Sequence, residues 1–562
     1  MKKMFRTAGL AIIAAALSFT TYAQQFEIGN VPKGWHLKDL KTDGYYGISL
    51  DKAYDFVKQK GLKSTPVIVG IIDSGIDTTH EDLKPVLWVN KKEIPGNGID
   101  DDKNGYIDDI YGWNFLGSND GTKNVEKDSY EAARFYWKYK NKYEGKTEAQ
   151  VAAADKAEFK TWQRSRGDVF KTEGNSAEEE FMLQMVEAMK RGDEVIKREL
   201  KKDVYNCTDL KNYNPTALVA RQMREMMLNI CRGNDNDEIS NSMLLSELDK
   251  EIDKIAIKKN PPKEYRNDVV DDKYDDINDK YYGNNNLYVT NDGAMHGTHV
   301  AGIIGAKRGN GLGMDGVADN VELMSLRAVP DGDEHDKDIA LSIRYAVDNG
   351  ARIINMSFGK GFSPQKHWVD DAVRYADSKG VLLVHAAGND AKNNDTTHNY
   401  PSAYYSDKTR PKNWITVGAS GDPKAGGLVA NFSNYGKTDV DVFAPGVKIY
   451  STVPGGNTYQ DLQGTSMASP VVAGLAAFIM NYYPRLTATQ VKDIIMRSAI
   501  KPEKKVTNPQ TLKDVSLSDL SVTGGIVNAY EAIKLADAVS RGETAPVKVT
   551  PAAKKPAVKK KK

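Results

Sequence analysis

The sequence predicts an α/β fold: a mainly parallel sheet with helices on both faces, carrying in addition an all-helical insertion. Three observations predict it. Apolar runs of strand length recur at "PVIVGIID" (66–73), "VELMSLRAV" (321–329), "ARIINMSFG" (351–359), "GVLLVHAAGN" (380–389) and "WITVGAS" (414–420), with helix-like stretches between them. The segment "DKDIALSIRYAVDNG", between the second and third runs, has apolar residues at helical spacing, an Asp start and a Gly stop. From 116 to 262 strand signals cease and helix signals take over. Strands buried on both faces read as near-continuous apolar runs, and working groups gather at their carboxyl ends. Asp73, Ser357 to Gly359 and Asn389 all fall at such ends.

The 562 residues are 40% hydrophobic and 27% charged, enough for one large or two to three ordinary domains with a proper core. Lys and Arg number 77 against 76 Asp and Glu, a net charge of +1, so no global field draws the chain to nucleic acid or an acidic membrane surface. The first 23 residues place Lys2, Lys3 and Arg6 ahead of an apolar core and "TYA", the pattern of a secretory signal peptide cut after Ala23. The apolar core is shorter than the roughly 20 residues of a spanning helix, and no later segment reads as transmembrane. An exported protein, periplasmic or extracellular, is expected. The two cysteines, Cys207 and Cys231, are close enough to be bridged in an oxidising compartment, and the sequence leaves bridged and free states open. The end of the chain, 541–562, is rich in Lys, Pro and Ala and predicts a disordered tail.

In the insertion, "SAEEEFMLQMVEAMKRG" has Ser176 and Glu179 in capping-box spacing and puts Phe181, Met182, Met185, Val186 and Met189 on one helical face. "NPTALVARQMREMMLNICRG" starts at Asn214 and Pro215 and stops at Gly233, and "SMLLSELDKEIDKIAI" repeats Leu245, Leu248, Ile252 and Ile255. The methionine faces read as helix packing.

Three segments carry chemistry. The first apolar run ends in a carboxylate, Asp73, whose burial costs several kcal/mol unless a partner is supplied. "AMHGTHVAGIIGA" offers His296 where a helix begins, with His299 one turn on as a structural hydrogen-bonding residue. The His-x-x-His spacing lacks the glutamate of the zinc-protease helix. "QGTSMASPVVAGLAAFIM" puts Ser466 at a helix amino end, where free N–H groups favour negative charge, with Pro470 near the first turn. Alone, Ser466 reads as a helix cap. Together the three supply a nucleophile, a base to take its proton and a carboxylate to orient the base.

"IIDSGIDTTHEDL", "HGTHVAG" and "GTSMASP" resemble the three signature segments of the subtilisin-like serine proteases, the subtilase family, in the order Asp, His, Ser. The resemblance covers roughly 30–115 and 270–540. It implies a subtilisin-like fold and a serine endopeptidase in which Asp73 orients, His296 is general base then acid, and Ser466 attacks the peptide carbonyl to form an acyl-enzyme. It further implies Asn389 in "HAAGND" as oxyanion donor, "NMSFGKG" (Ser357, Phe358, Gly359) as the segment that pairs with substrate backbone, and Asp390 at the pocket rim, where a carboxylate would favour a basic substrate side chain.

"GNGIDDDKNGYIDDIYGWNF" is a second cluster: Asp100, Asp102, Asn104 and Gly105 match positions 1, 3, 5 and 6 of an EF-hand-type loop, Tyr106 offers a carbonyl, and Asp108 stands at position 9. Position 12 is Tyr111, so the bidentate glutamate is missing; Asp109 is a candidate replacement, and a polar turn without metal is the other reading. A structural calcium ion is the expected cofactor. The family resemblance adds Asp82 as a calcium ligand, with Asn310 loosely matching the partner loop.

The domain plan is a signal peptide (1–23), a first catalytic part (24–115), the helical insertion (116–262), the rest of the catalytic domain (263–540) and the tail (541–562). The sequence separation of 223 from Asp73 to His296 exceeds the family's usual one. The short span after residue 23 leaves no room for the family's amino-terminal prodomain, and the insertion is expected to take over part of its task. Substrates are protein or peptide. The rival readings are a catalytically inactive binding protein and a calcium-dependent structural protein on the same fold.

Overall fold

Seven strands form one parallel sheet in the computed structural model, which describes residues 31–171, 176–234, 237 and 239–543. The expected signal peptide and the tail from residue 544 lie outside the described residues. In chain order the strands are β1 (Val67–Asp73), β2 (Gly112–Asn114), β3 (Val321–Arg327), β4 (Ile353–Met356), β5 (Leu382–Ala386), β6 (Trp414–Ser420) and β7 (Val442–Pro445). Their spatial order is β2-β3-β1-β4-β5-β6-β7, every pairing parallel. The five expected apolar runs are β1 and β3 to β6. β2 and β7 carried no clear signal.

Successive side chains of β1 alternate between two cores, as strand geometry requires. Val67, Val69 and Ile71 face a core with the helices Asn291–Gly305, Thr465–Tyr482, Ala488–Ser498 and Ala529–Ser540. Ile68 and Ile72 face a second core with Asp336–Asp348 and Lys366–Ser378. Covering both faces excludes water from a sheet whose inner strands are almost wholly buried, and each fully buried Val, Leu or Ile contributes about 1.5–3 kcal/mol. An antiparallel hairpin, β8 (Ile449–Val453) with β9 (Thr458–Leu462), lies against Asn291–Gly305: Ser451 Oγ donates to His299 O and Thr452 Oγ1 to Thr298 O, both at 2.8 Å.

The described chain groups into two units, 31–131 with 264–543, and 132–263. The insertion was expected from 116, but Phe115, Leu116 and Val125 are buried in the second core of the sheet. Within 132–263 the helices Ser176–Leu200, Leu218–Asn234 and Asn241–Ala256 enclose Val186, Met189, Ile196, Met223, Met227 and Leu248, and Cys207 is bridged to Cys231. Phe181 departs from the expected face and is 46% exposed. Glu179 pairs with Lys258 at 2.8 Å.

Candidate active site

β1 presents Asp73 at its last position, 1% exposed, with its carbonyl fixed by the amides of Ala328 and Val329. The histidine helix, Asn291–Gly305, starts earlier than expected: Thr290 caps it by accepting from Gly293 N at 3.1 Å, which puts His296 in the second turn. Gly297 lets this helix abut the aspartate turn, since a Cβ there would lie 2.2 Å from Gly75 O and 3.2 Å from the Asp73 Cβ. Across the 223-residue separation, His296 Nδ1 donates to Asp73 Oδ1 at 2.7 Å. Ser74 N donates to the same oxygen at 2.8 Å, while Oδ2 is buried with no hydrogen-bond partner among the described residues. A neutral imidazole that gives its Nδ1 proton to a buried carboxylate keeps its lone pair on Nε2, the tautomer a general base needs.

Ser466 is the second residue of the serine helix, Thr465–Tyr482, so its N–H belongs to the first turn and has no partner within the helix. The N-cap is Gly464, not Ser466; its φ of 154° and ψ of 164° belong to a region that only glycine adopts freely. The Ser466 hydroxyl donates to Ser357 O at 2.9 Å, and the Ser357 hydroxyl donates to Ser466 O at 2.9 Å. Pro470 explains the second bond. A proline has no N–H for the carbonyl four residues back, so the Ser466 carbonyl is left for Ser357. Asn355, fully buried, completes the lock: its amide donates to Ser357 Oγ at 2.9 Å and accepts from Ser469 Oγ at 2.8 Å.

Asn389 is aimed by the same helix end. Its Oδ1 accepts from Thr465 N at 2.8 Å and Thr465 Oγ1 at 3.0 Å, which turns the amide nitrogen the other way. A Cβ added to Gly464 would lie 3.5 Å from Asn389 Nδ2 and 3.6 Å from Ser466 N, so both donors border one small space beside the serine. Thr465, which leads into Ser466 within "GTS" and to which the sequence assigns no role, also accepts from Gly388 N at 3.0 Å.

Ser357, Phe358 and Gly359 leave β4 beside Ser466, buried, half-buried and exposed in turn. Asp390 is 63% exposed with Lys392 Nζ 3.8 Å away, and its N–H donates to Asn434 Oδ1 at 3.0 Å. His299 Nε2 donates to Gln460 O at 3.1 Å, and burial pushes its pKa down to about 3, as the structural role requires.

In the acidic loop the structure gathers only some of the expected ligands. Asp100 and Asp102 meet Glu93, which the sequence gave no reason to include, each offering an oxygen within 4.8 Å of the others. Asp108 is turned away: its carboxylate accepts from Gly96 N, Asn97 N and Gly98 N, at 2.8, 3.3 and 2.9 Å. Asn104 Oδ1 accepts from Tyr106 N at 2.7 Å, closing a local turn, and its amide donates to Asp109 at 2.9 Å. Asp109, pushed up to about 6 by burial, also accepts from Tyr345 OH and, at 2.7 Å, from Asn90. Asp82 stands in a separate cluster, accepting from Asn310 Nδ2 at 2.5 Å and Tyr459 OH at 2.8 Å.

The profile of the subtilase family matches residues 64–524. The chain is 40% identical over 240 residues to the thermophilic serine proteinase of Bacillus sp. (strain AK1), covering 42% of this chain and 52% of that one. It is 42% identical over 212 residues to Subtilisin DY of Bacillus licheniformis, covering 37% of this chain and 71% of that one. Among solved structures, a protease from Pseudoalteromonas arctica is 19% identical over 91% of this chain and 99% of its own, with a TM-score of 0.42. The chain thus spans about half the length of the thermophilic proteinase. With the profile running through β1, the histidine helix and the serine helix, the chain belongs to the subtilase family.

Proposed function

We propose that this chain is an exported serine endopeptidase that hydrolyses peptide bonds through an acyl-enzyme on Ser466. The observation that carries the reading is the 2.7 Å bond from His296 Nδ1 to Asp73, which leaves Nε2 with the lone pair that would accept a serine proton. In the reaction, the Ser466 hydroxyl leaves Ser357 O and gives its proton to His296 Nε2 as its oxygen attacks the substrate carbonyl. Asp73 stabilises the imidazolium that forms. The carbonyl oxygen, now negative, moves between Asn389 Nδ2 and Ser466 N, which bind it more strongly than the neutral carbonyl and so lower the barrier. His296 returns the proton to the leaving amine, then activates a water that releases the acyl group.

The substrate is an extended protein or peptide segment pairing with 357–359, and Asp390 gives preference to a basic side chain before the scissile bond. Export rests on the basic, apolar and small-residue order of the first 23 residues. Among the described residues no helix is long and apolar enough to cross a membrane. Glu93, Asp100 and Asp102 form an all-oxygen, all-anionic donor set that fits a hard cation such as calcium. When bound, the ion would neutralise three carboxylates that otherwise repel one another. A fluorophosphonate probe tests the reading: it should label the wild-type chain and not Ser466→Ala, and a wild-type chain that stays unlabelled would overturn it.

A further inference from the structure

His385 is a buried titratable group that the mechanism does not use. It stands in β5, four residues before Asn389, 2% exposed, in register with Met356 of β4. Its ring packs against Trp414, 5.3 Å between centroids, and Phe358, 6.3 Å. Its Nε2 reaches Phe358 O at 2.8 Å. A backbone carbonyl can only accept, so the ring donates from Nε2. Burial pushes the pKa of His385 down to about 4, which keeps the ring neutral through the ordinary working range.

The carbonyl it holds lies in the segment assigned to substrate pairing. In an extended segment, successive residues turn their N–H and C=O groups to opposite edges. Ser357 O faces Ser466, at 2.9 Å, so residues 357 and 359 present their polar groups on the active-site side, and Phe358 O points back toward the sheet. There the sheet ladder has ended: β4 stops at Met356 and β5 at Ala386. Without His385, the Phe358 carbonyl would have to be satisfied in another way.

We propose that His385 is a positioning residue for substrate binding: by donating to Phe358 O it fixes the edge of 357–359 against the strand that leads into Asn389. The inference rests on the protease reading, and it concerns acyl-side backbone pairing, not bond making. A tetrapeptide anilide, which can pair along 357–359, should therefore depend on His385, and a single-residue ester, which cannot, should not.

The test compares wild type, His385→Phe and His385→Gln on both substrates, with fluorophosphonate labelling of Ser466 as a check that the site is assembled. Phenylalanine keeps the packing and removes the donor; glutamine restores an N–H at a similar reach. For His385→Phe, kcat/KM on the tetrapeptide should fall about 10- to 100-fold, carried by KM, with the ester changed by less than about threefold. His385→Gln should recover most of the loss. If the phenylalanine variant does not fold, the comparison is made between His385→Gln and His385→Asn, whose amide is too short to reach Phe358 O. Equal losses on ester and tetrapeptide, or no loss on either in chains that still label, would overturn the proposal. A wild-type chain that does not label would count against the protease reading itself.

Discussion

Pro470 stands four residues after Ser466 on one helix, and the hydrogen bond that it cannot make is the one that Ser357 makes instead. The fold thereby joins the end of β4 to the start of the serine helix by reciprocal 2.9 Å bonds between Ser357 and Ser466. Pro470→Ala supplies a competing N–H. The expected outcome is a helix as stable or more so, with kcat/KM on peptides lowered about three- to tenfold, the size of one modest hydrogen bond. Thermal unfolding and steady-state kinetics on the same preparation check it.

Asn389→Leu should leave KM nearly unchanged and reduce kcat by about 10²–10³, a magnitude known from the corresponding donor of a subtilisin and so taken from a relative. The Ser466 N–H remains as the second donor, so residual activity is expected. A loss that fell mainly on KM would place Asn389 in ground-state binding instead.

His36 is fully buried and neither ring nitrogen has a hydrogen-bond partner among the described residues; burial lowers its pKa from 6.5 to about 3. The folded pKa is below the unfolded one, so the unfolded chain takes up a proton that the folded chain refuses. Stability is full above 6.5 and falls as pH drops toward 3, by about 1.4 kcal/mol per pH unit for one such group. His36→Phe should make the acid-side slope of unfolding free energy between pH 6 and pH 4 shallower by about that amount. Urea unfolding at several pH values measures the difference.

Calcium at a hundredfold excess over its Kd should raise stability by about 2.7 kcal/mol through Glu93, Asp100 and Asp102. Chelation should reverse this. Glu93→Gln should weaken the response, whereas Asp108→Asn, whose carboxylate serves the amides of 96 to 98, should lower basal stability and leave the calcium increment in place.

Much of the fold was legible because five strands are long and apolar on both faces. β2 escaped notice because three residues are too few to show a period, and β9 because all of its residues are partly or fully exposed. The early start of the histidine helix was hidden by "TNDG", poor helix formers that Thr290 nevertheless caps. The signature segments pointed to Asp73, His296 and Ser466, and the structure brings the first two into contact. The acidic loop was read less well. Spacing shows which carboxylates are near in sequence, but not which converge in space, so Asp108 and Asn104 were counted and Glu93, in a stretch without pattern, was not, although Glu93 also accepts from the amides of Asp102 and Asp108.

The mass of the protein quenched during turnover of an activated ester shows whether Ser466 carries the acyl group. An acyl adduct is expected on the peptide containing Ser466, absent from Ser466→Ala, with hydrolysis in Asp73→Asn reduced about 10⁴-fold. Undiminished hydrolysis by Ser466→Ala, or turnover with no adduct on that peptide, would contradict an acyl-enzyme on Ser466.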